Sequence, residues 1–183
     1  PLYDASTSSF DKSESKTITN NLTLRWDIWK GFYLTGSFSY SLSDSQSDKF
    51  VSPDHSSFET ETDPGKRGSY FISNMRGKSW QARIGLTYSK TLSDNGSILT
   101  LNVGANANKS NSNSNSFSGI GFLKGNLTDM AFANSYPTNG QPSGSESLSS
   151  SVGVFGNLNI IFLNRYFVDG SYRVSGSSKF GKD

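Results

Sequence analysis

The chain has no cysteine. Disulfide scaffolds, thiolate metal sites and cysteine nucleophiles are therefore all excluded. It has one histidine, His55, set in a serine-rich stretch with no partner histidine, so a histidine metal cluster is excluded too. Hydrophobic residues are only 33% of 183, and no run approaches the roughly 20 apolar residues of a membrane-crossing helix. Neither sign of charge is in excess: 17 basic and 15 acidic residues leave a net +2. Nucleic-acid binders carry a concentrated basic patch, so no nucleic-acid partner is expected. What the chain does have is aromatic residues, 13%, among abundant Ser, Asn, Thr and Gly. That pairing points to β-structure with long loops. The first residue is Pro1, no leader segment is visible, and the last residues are Gly-Lys-Asp. We expect a piece of something longer, or a processed product.

Period-two alternation is the main signal, because successive side chains of a strand point to opposite faces. Ile18, Leu22, Leu24, Trp26 and Ile28 share one parity, against Thr19, Asn21, Thr23, Arg25 and Asp27. Phe32, Leu34, Phe38, Tyr40 and Leu42 alternate with Tyr33, Thr35, Ser37, Ser39 and Ser41. Further alternating runs follow, and they predict six strands over 18–28, 32–43, 79–92, 98–108, 147–162 and 166–175. Trp29-Lys30-Gly31, Asp94-Asn95-Gly96 and Asn164-Arg165 read as tight turns, Asn-Gly being the strongest hairpin signal. Residues 1–16, 44–77, 109–146 and 176–183 read as outer loops. The serine- and asparagine-rich KSNSNSNSFSG at 109–119 is expected to be mobile. IGFLKGNLTDMAFANSYP is a candidate for a short helix.

Connections thus alternate short and long between strands of about 10–15 residues, and about 9–11 residues cross a bilayer at a tilt. Within the strands Arg25, Asp27, Arg83, Asp169 and Arg173 all fall on the polar parity. A charge facing lipid at mid-membrane costs about 2–4 kcal/mol, so this placement is what a membrane barrel requires. Lys90 alone sits on the apolar parity, beside a short turn where its stem can snorkel. Trp26, Trp29, Phe32, Tyr88, Phe162 and Tyr166 gather near the short turns, and Tyr40, Trp80 and Tyr172 near the long loops. Two aromatic belts are expected at two membrane interfaces. The fold class read from this is all-β: an antiparallel transmembrane β-barrel segment with short periplasmic turns and long extracellular loops. A β-sandwich with aromatic inner faces explains the alternation but neither the strand length nor the belts.

Other motifs carry less. Gly176 to Lys182 approximates a phosphate loop, but Asp183 stands where a magnesium-binding Ser or Thr belongs and no helix follows. Glu59, Glu61 and Asp63 form a candidate calcium cluster; a solvated acidic loop is the plainer reading. Tyr70 and Phe71 are candidate loop contacts for cargo, with packing as the alternative. No nucleophile–base pair is legible, so no enzyme and no cofactor is expected.

The stretch NRYFVDGSYRVSGSSKFGKD resembles a late-barrel hairpin of SusC/RagA-type TonB-dependent outer-membrane transporters of Bacteroidota. Arg173, Gly176, Ser177, Ser178, Phe180 and Gly181 match its motif, while Ser175 and Lys179 replace an Asp and an Arg. NLTLRWDIWKGFYLTGSFSYSL looks like a hairpin of the same barrels. The resemblance implies a barrel of about 22 strands, of which this chain supplies wall and outer loops. It also implies a plug domain, a signal peptide and a TonB-contacting segment, none of them visible in this chain. The implied function is TonB-dependent uptake of glycan or peptide across the bacterial outer membrane, with a SusD-like surface lipoprotein as partner. Arg25, Asp27, Arg83, Asp169 and Arg173 become lumen-facing candidates for plug or substrate contact. Two readings of other classes stay open at this point: a secreted soluble adhesin or glycan-binding module, and a porin that does not use TonB.

Overall fold

A computed structural model describes residues 4–93, 96–138 and 140–178. It contains one six-stranded sheet in the order β1-β2-β3-β4-β5-β6, every strand next to its sequence neighbour. The strands are β1 (Phe10–Trp29), β2 (Phe32–Val51), β3 (Ser69–Ser93), β4 (Ser97–Ile120), β5 (Ser143–Phe162) and β6 (Tyr166–Ser177). No α-helix occurs among the described residues. The expected six strands and antiparallel meander are present.

The strands are longer than the alternation predicts. β1 and β2 hold 20 residues each, β3 25, β4 24, β5 20 and β6 12. At about 3.3 Å per residue, 20 residues reach about 66 Å, well beyond what a tilted bilayer crossing uses. The loops shrink accordingly. Residues 10–16, 44–51, 69–77, 109–120 and 143–146, expected as loop, are strand, as are Gly176 and Ser177. The physical reason is that pairing, not hydrophobicity, satisfies the backbone here. KSNSNSNSFSG, expected to be mobile, lies inside β4 and is laced to its neighbours by side-chain rungs. Ser114 and Ser116 hydroxyls meet those of Ser145 and Ser143, each at 2.8 Å. Alternation fails as a signal there because both faces are polar.

The first short turn forms where expected. Gly31 has φ +78°, and a Cβ there would lie 2.1 Å from the Ser89 carbonyl oxygen, so the position demands glycine on two counts. The last turn centres on Leu163 and Asn164, with φ of 52° and 54°, one residue earlier than the sequence suggests. It is closed by Arg165 N–H donating to the Phe162 carbonyl at 3.1 Å. Positive φ at both central residues is the hairpin turn that matches strand twist. Asp94 and Asn95 lie outside the described residues. The expected short helix reduces to a single 3-10 turn, Met130–Phe132, capped by the Asp129 carboxylate accepting from Ala131 N–H.

By contact the chain divides into two compact units. One comprises 1–17, 43–77 and 112–147, the other 18–42, 78–111 and 148–183. The buried apolar residues among those described are Phe50, Tyr70 and Phe122, and all belong to the first unit. Phe10, Ile72, Met130 and Ala133 pack against them. Phe50 and Phe122 meet edge to face at 5.1 Å between centroids, a favoured aromatic geometry. Among the described residues the second unit buries no large apolar side chain, and much of its oily parity is exposed.

Candidate functional site

In the second unit the two faces of the sheet separate by chemistry. Leu22, Leu24, Trp26, Ile84, Val152, Val154, Tyr172 and Val174 stand exposed on the apolar parity. A hollow of about 510 Å³ is lined mainly by apolar residues, among them Ala82, Ile84, Ala105, Val152, Val154 and Val174, with Arg83, Asn106 and Ser175 also on its wall. The other parity holds the charges expected there, and the structure sorts them into three kinds.

Arg25 and Asp27 partner each other. The Arg25 Nη2 and Nε donate to Asp27 Oδ1 at 2.9 and 3.1 Å, and the guanidinium lies over the Tyr33 ring at 3.9 Å. Asp169 accepts a hydrogen bond from the Asn159 amide, its direct cross-strand partner in the β5–β6 register. Arg83 and Arg173 are different. Neither has a carboxylate partner among the described residues. Both line a polar cavity of about 550 Å³ with Asn106, Phe155, Asn157 and Ser171. The Arg83 guanidinium sits 4.5 Å from the centroid of the Phe155 ring. Arg173 Nη2 donates to Asn106 Oδ1 at 3.3 Å.

Phe155 is the residue that sequence reasoning missed. It lies on the polar parity, between Gly153 and Asn157, directly opposite Arg173. Its ring lies against Gly104, where a Cβ would come within 2.6 Å of it. The signal was available as an aromatic side chain out of step with its strand. Its meaning needed the neighbouring strand's glycine.

In the first unit the two loop candidates part company. Tyr70 is buried against Phe10, Phe50 and Phe122, so its ring packs and is not presented to a ligand; Phe71 is exposed. Burial, with a hydrogen bond to Asp48 behind it, pushes the Tyr70 phenol up to about 12. Glu59, Glu61 and Asp63 assemble no group of three or more metal-ligating side chains among the described residues. Asp63 caps a 3-10 turn by accepting from Gly65 N–H, and Glu61 accepts from Asp63 N–H. His55 Nδ1 likewise accepts from Ser57 N–H. Asp4 accepts from the backbone N–H of Ser56, which holds its carboxyl below the usual range. Of the family-like motif, Arg173, Gly176 and Ser177 lie in β6, and the Ser178 hydroxyl accepts from Ser150 N–H at 2.9 Å. Phe180 and Gly181 lie outside the described residues.

A sheet of long antiparallel strands, apolar and exposed on one parity and hydroxylated or charged on the other, has the architecture of membrane-barrel wall. Comparison with solved structures gives the particular likeness. The chain is similar to the RagAB peptide transporter, with TM-score 0.79 and 18% identity over 95% of this chain. It is also similar to the RagAB peptide importer in its open-open and closed-closed states, with TM-scores 0.78 and 0.77 and 18% identity to each. It spans about a fifth of the length of those chains, 18–19%. No protein-family model and no curated protein matches. The fold is that of a barrel segment of these transporters, which are not enzymes.

Proposed function

We propose that this chain is a stretch of barrel wall and outer loops from a SusC/RagA-type TonB-dependent transporter of the bacterial outer membrane. The apolar parity of the second unit faces lipid, and the parity of Arg25, Arg83 and Arg173 faces the wet interior. The observation that carries this reading is the exposed apolar parity on a sheet whose fold matches RagAB over 95% of the chain. A soluble adhesin would turn that parity into a core, because exposed apolar patches of this extent are rare on soluble monomers. Among the described residues no helix is long and apolar enough to cross a membrane, so any crossing is made by strands.

The transporter imports peptides or glycans with energy relayed through TonB, and works with a SusD-like surface lipoprotein. The intact protein should stay with membranes through high-salt and carbonate washes and come off only in detergent. Release by carbonate alone would overturn the reading and favour the adhesin.

A further inference from the structure

We propose that the wet face of β3–β6 carries a carboxylate-binding site built on Arg83 and Arg173, with Phe155 as its apolar wall. The proposal rests on the barrel-wall reading above.

Charge accounting singles out these two arginines. Of the charged groups expected on this face, Arg25 and Asp27 neutralise each other; Asp169 keeps its charge but is held by the Asn159 amide and forms no ion pair with either remaining arginine. Arg83 and Arg173 have no anion among the described residues, yet line one cavity of about 550 Å³. Two like charges in one cavity repel, and an anion between them relieves that repulsion. The cavity is also shaped in advance. Phe155 lies against the backbone where Gly104 carries no Cβ; one built there would also lie 2.4 Å from the Ile84 carbonyl. Arg83 stacks on the Phe155 ring, which leaves the N–H edge of its guanidinium for an acceptor. Arg173, directly across the β5–β6 ladder from Phe155, gives one of its five donors to Asn106.

The geometry selects among anions. A planar carboxylate matches the guanidinium fork in bidentate fashion. Phe155 offers a carbon surface to whatever chain bears the acid group. A strongly hydrated inorganic anion gains nothing from that surface. The same chemistry has two sources in a transporter: a carboxylate on imported cargo, or an acidic side chain from another part of the protein that fills the barrel interior.

The full-length transporter in detergent micelles distinguishes them. The probe is hippurate, a carboxylate on an aromatic body, against its uncharged amide and against inorganic phosphate, titrated by calorimetry. The variants are Arg83→Gln with Arg173→Gln, and the charge-preserving Arg83→Lys with Arg173→Lys. If cargo supplies the acid, the wild type binds hippurate about tenfold or more tighter than the amide. The Gln pair then loses that preference, the Lys pair keeps part of it, and ligand-free melting is unchanged. If the protein supplies the acid, the wild type binds neither probe. The Gln pair then melts several degrees lower without ligand and the Lys pair restores most of the loss. The proposal is overturned by absence of both patterns, by equal melting losses in the Gln and Lys pairs, or by phosphate binding as tightly as hippurate. Thiol labelling in the same preparation reports on the wall reading separately. Aqueous reagent at Thr23→Cys but not Leu24→Cys, both outside the cavity, keeps the wall, so a failed titration then removes the carboxylate site alone.

Discussion

In the unit made of 1–17, 43–77 and 112–147, Phe50 and Phe122 are sealed at 0% and 1% exposure. In the unit of 18–42, 78–111 and 148–183, Trp26, Val152 and Tyr172 stand 60%, 63% and 72% exposed. Strands β1 to β5 run through both units, with the same backbone ladder and the same two-residue period. The difference lies in what each uses as its apolar environment. The first makes a small aromatic core of its own, from strand residues Phe10, Phe50 and Tyr70 and loop residue Phe122. Among the described residues the second makes none, and on the proposed reading lipid covers its oily parity. Internal packing then holds the first unit together, and the bilayer holds the second.

Substitutions can break that comparison, and the largest effect belongs to the first unit. Phe50→Ala should cost about 3–5 kcal/mol of local stability, as truncation of a buried aromatic does. It should be read as faster hydrogen exchange at amides of 50–51 and 69–72. Membrane partition and the heat-modifiable gel shift of the barrel should not move; a loss of both would mean that the two units do not differ as described. Next comes a charge on the oily parity of the second unit. Val154→Arg should destabilise the folded barrel in lipid by about 2–4 kcal/mol, measured by denaturant unfolding in vesicles. Ser149→Arg, on the other parity of the same strand and outside the arginine cavity, should stay within about 0.5 kcal/mol.

The smallest effect is a pH dependence confined to the first unit. The Tyr70 phenol is pushed up to about 12 by burial and then by Asp48, whereas in the unfolded chain it titrates near 10. Folding therefore favours the neutral phenol. Stability should be flat below about pH 10 and fall by up to about 2–3 kcal/mol as pH rises toward about 12. Tyr70→Phe should remove that slope, and a slope that persists in Tyr70→Phe would assign it to another group.

The same contrast explains what could be read from the sequence. Six strands, the short turns and the sorting of charge onto one parity were legible in 18–43, 79–108 and 147–175, where one face is apolar and alternation is sharp. The strand extensions were not. In FDKSESKT at 10–17 and in KSNSNSNSFSG both faces are polar, and only pairing with a neighbour makes them strand. The Phe50–Tyr70–Phe122 core was hidden because it joins residues up to 72 positions apart. At the candidate site Arg83 and Arg173 were legible as wet-face charges. That neither meets an acidic partner among the described residues was not, because it depends on where Asp27 and Asp169 are held. Phe155 on Gly104 required knowing which strand lies alongside.

The central claim is that adjacent residues of β3 meet different solvents. Single cysteines at positions 83 and 84 of the full-length protein in membranes test it directly with a membrane-impermeant aqueous thiol reagent. Arg83→Cys should be modified and Ile84→Cys protected. Modification at 84 with none at 83 would contradict the account.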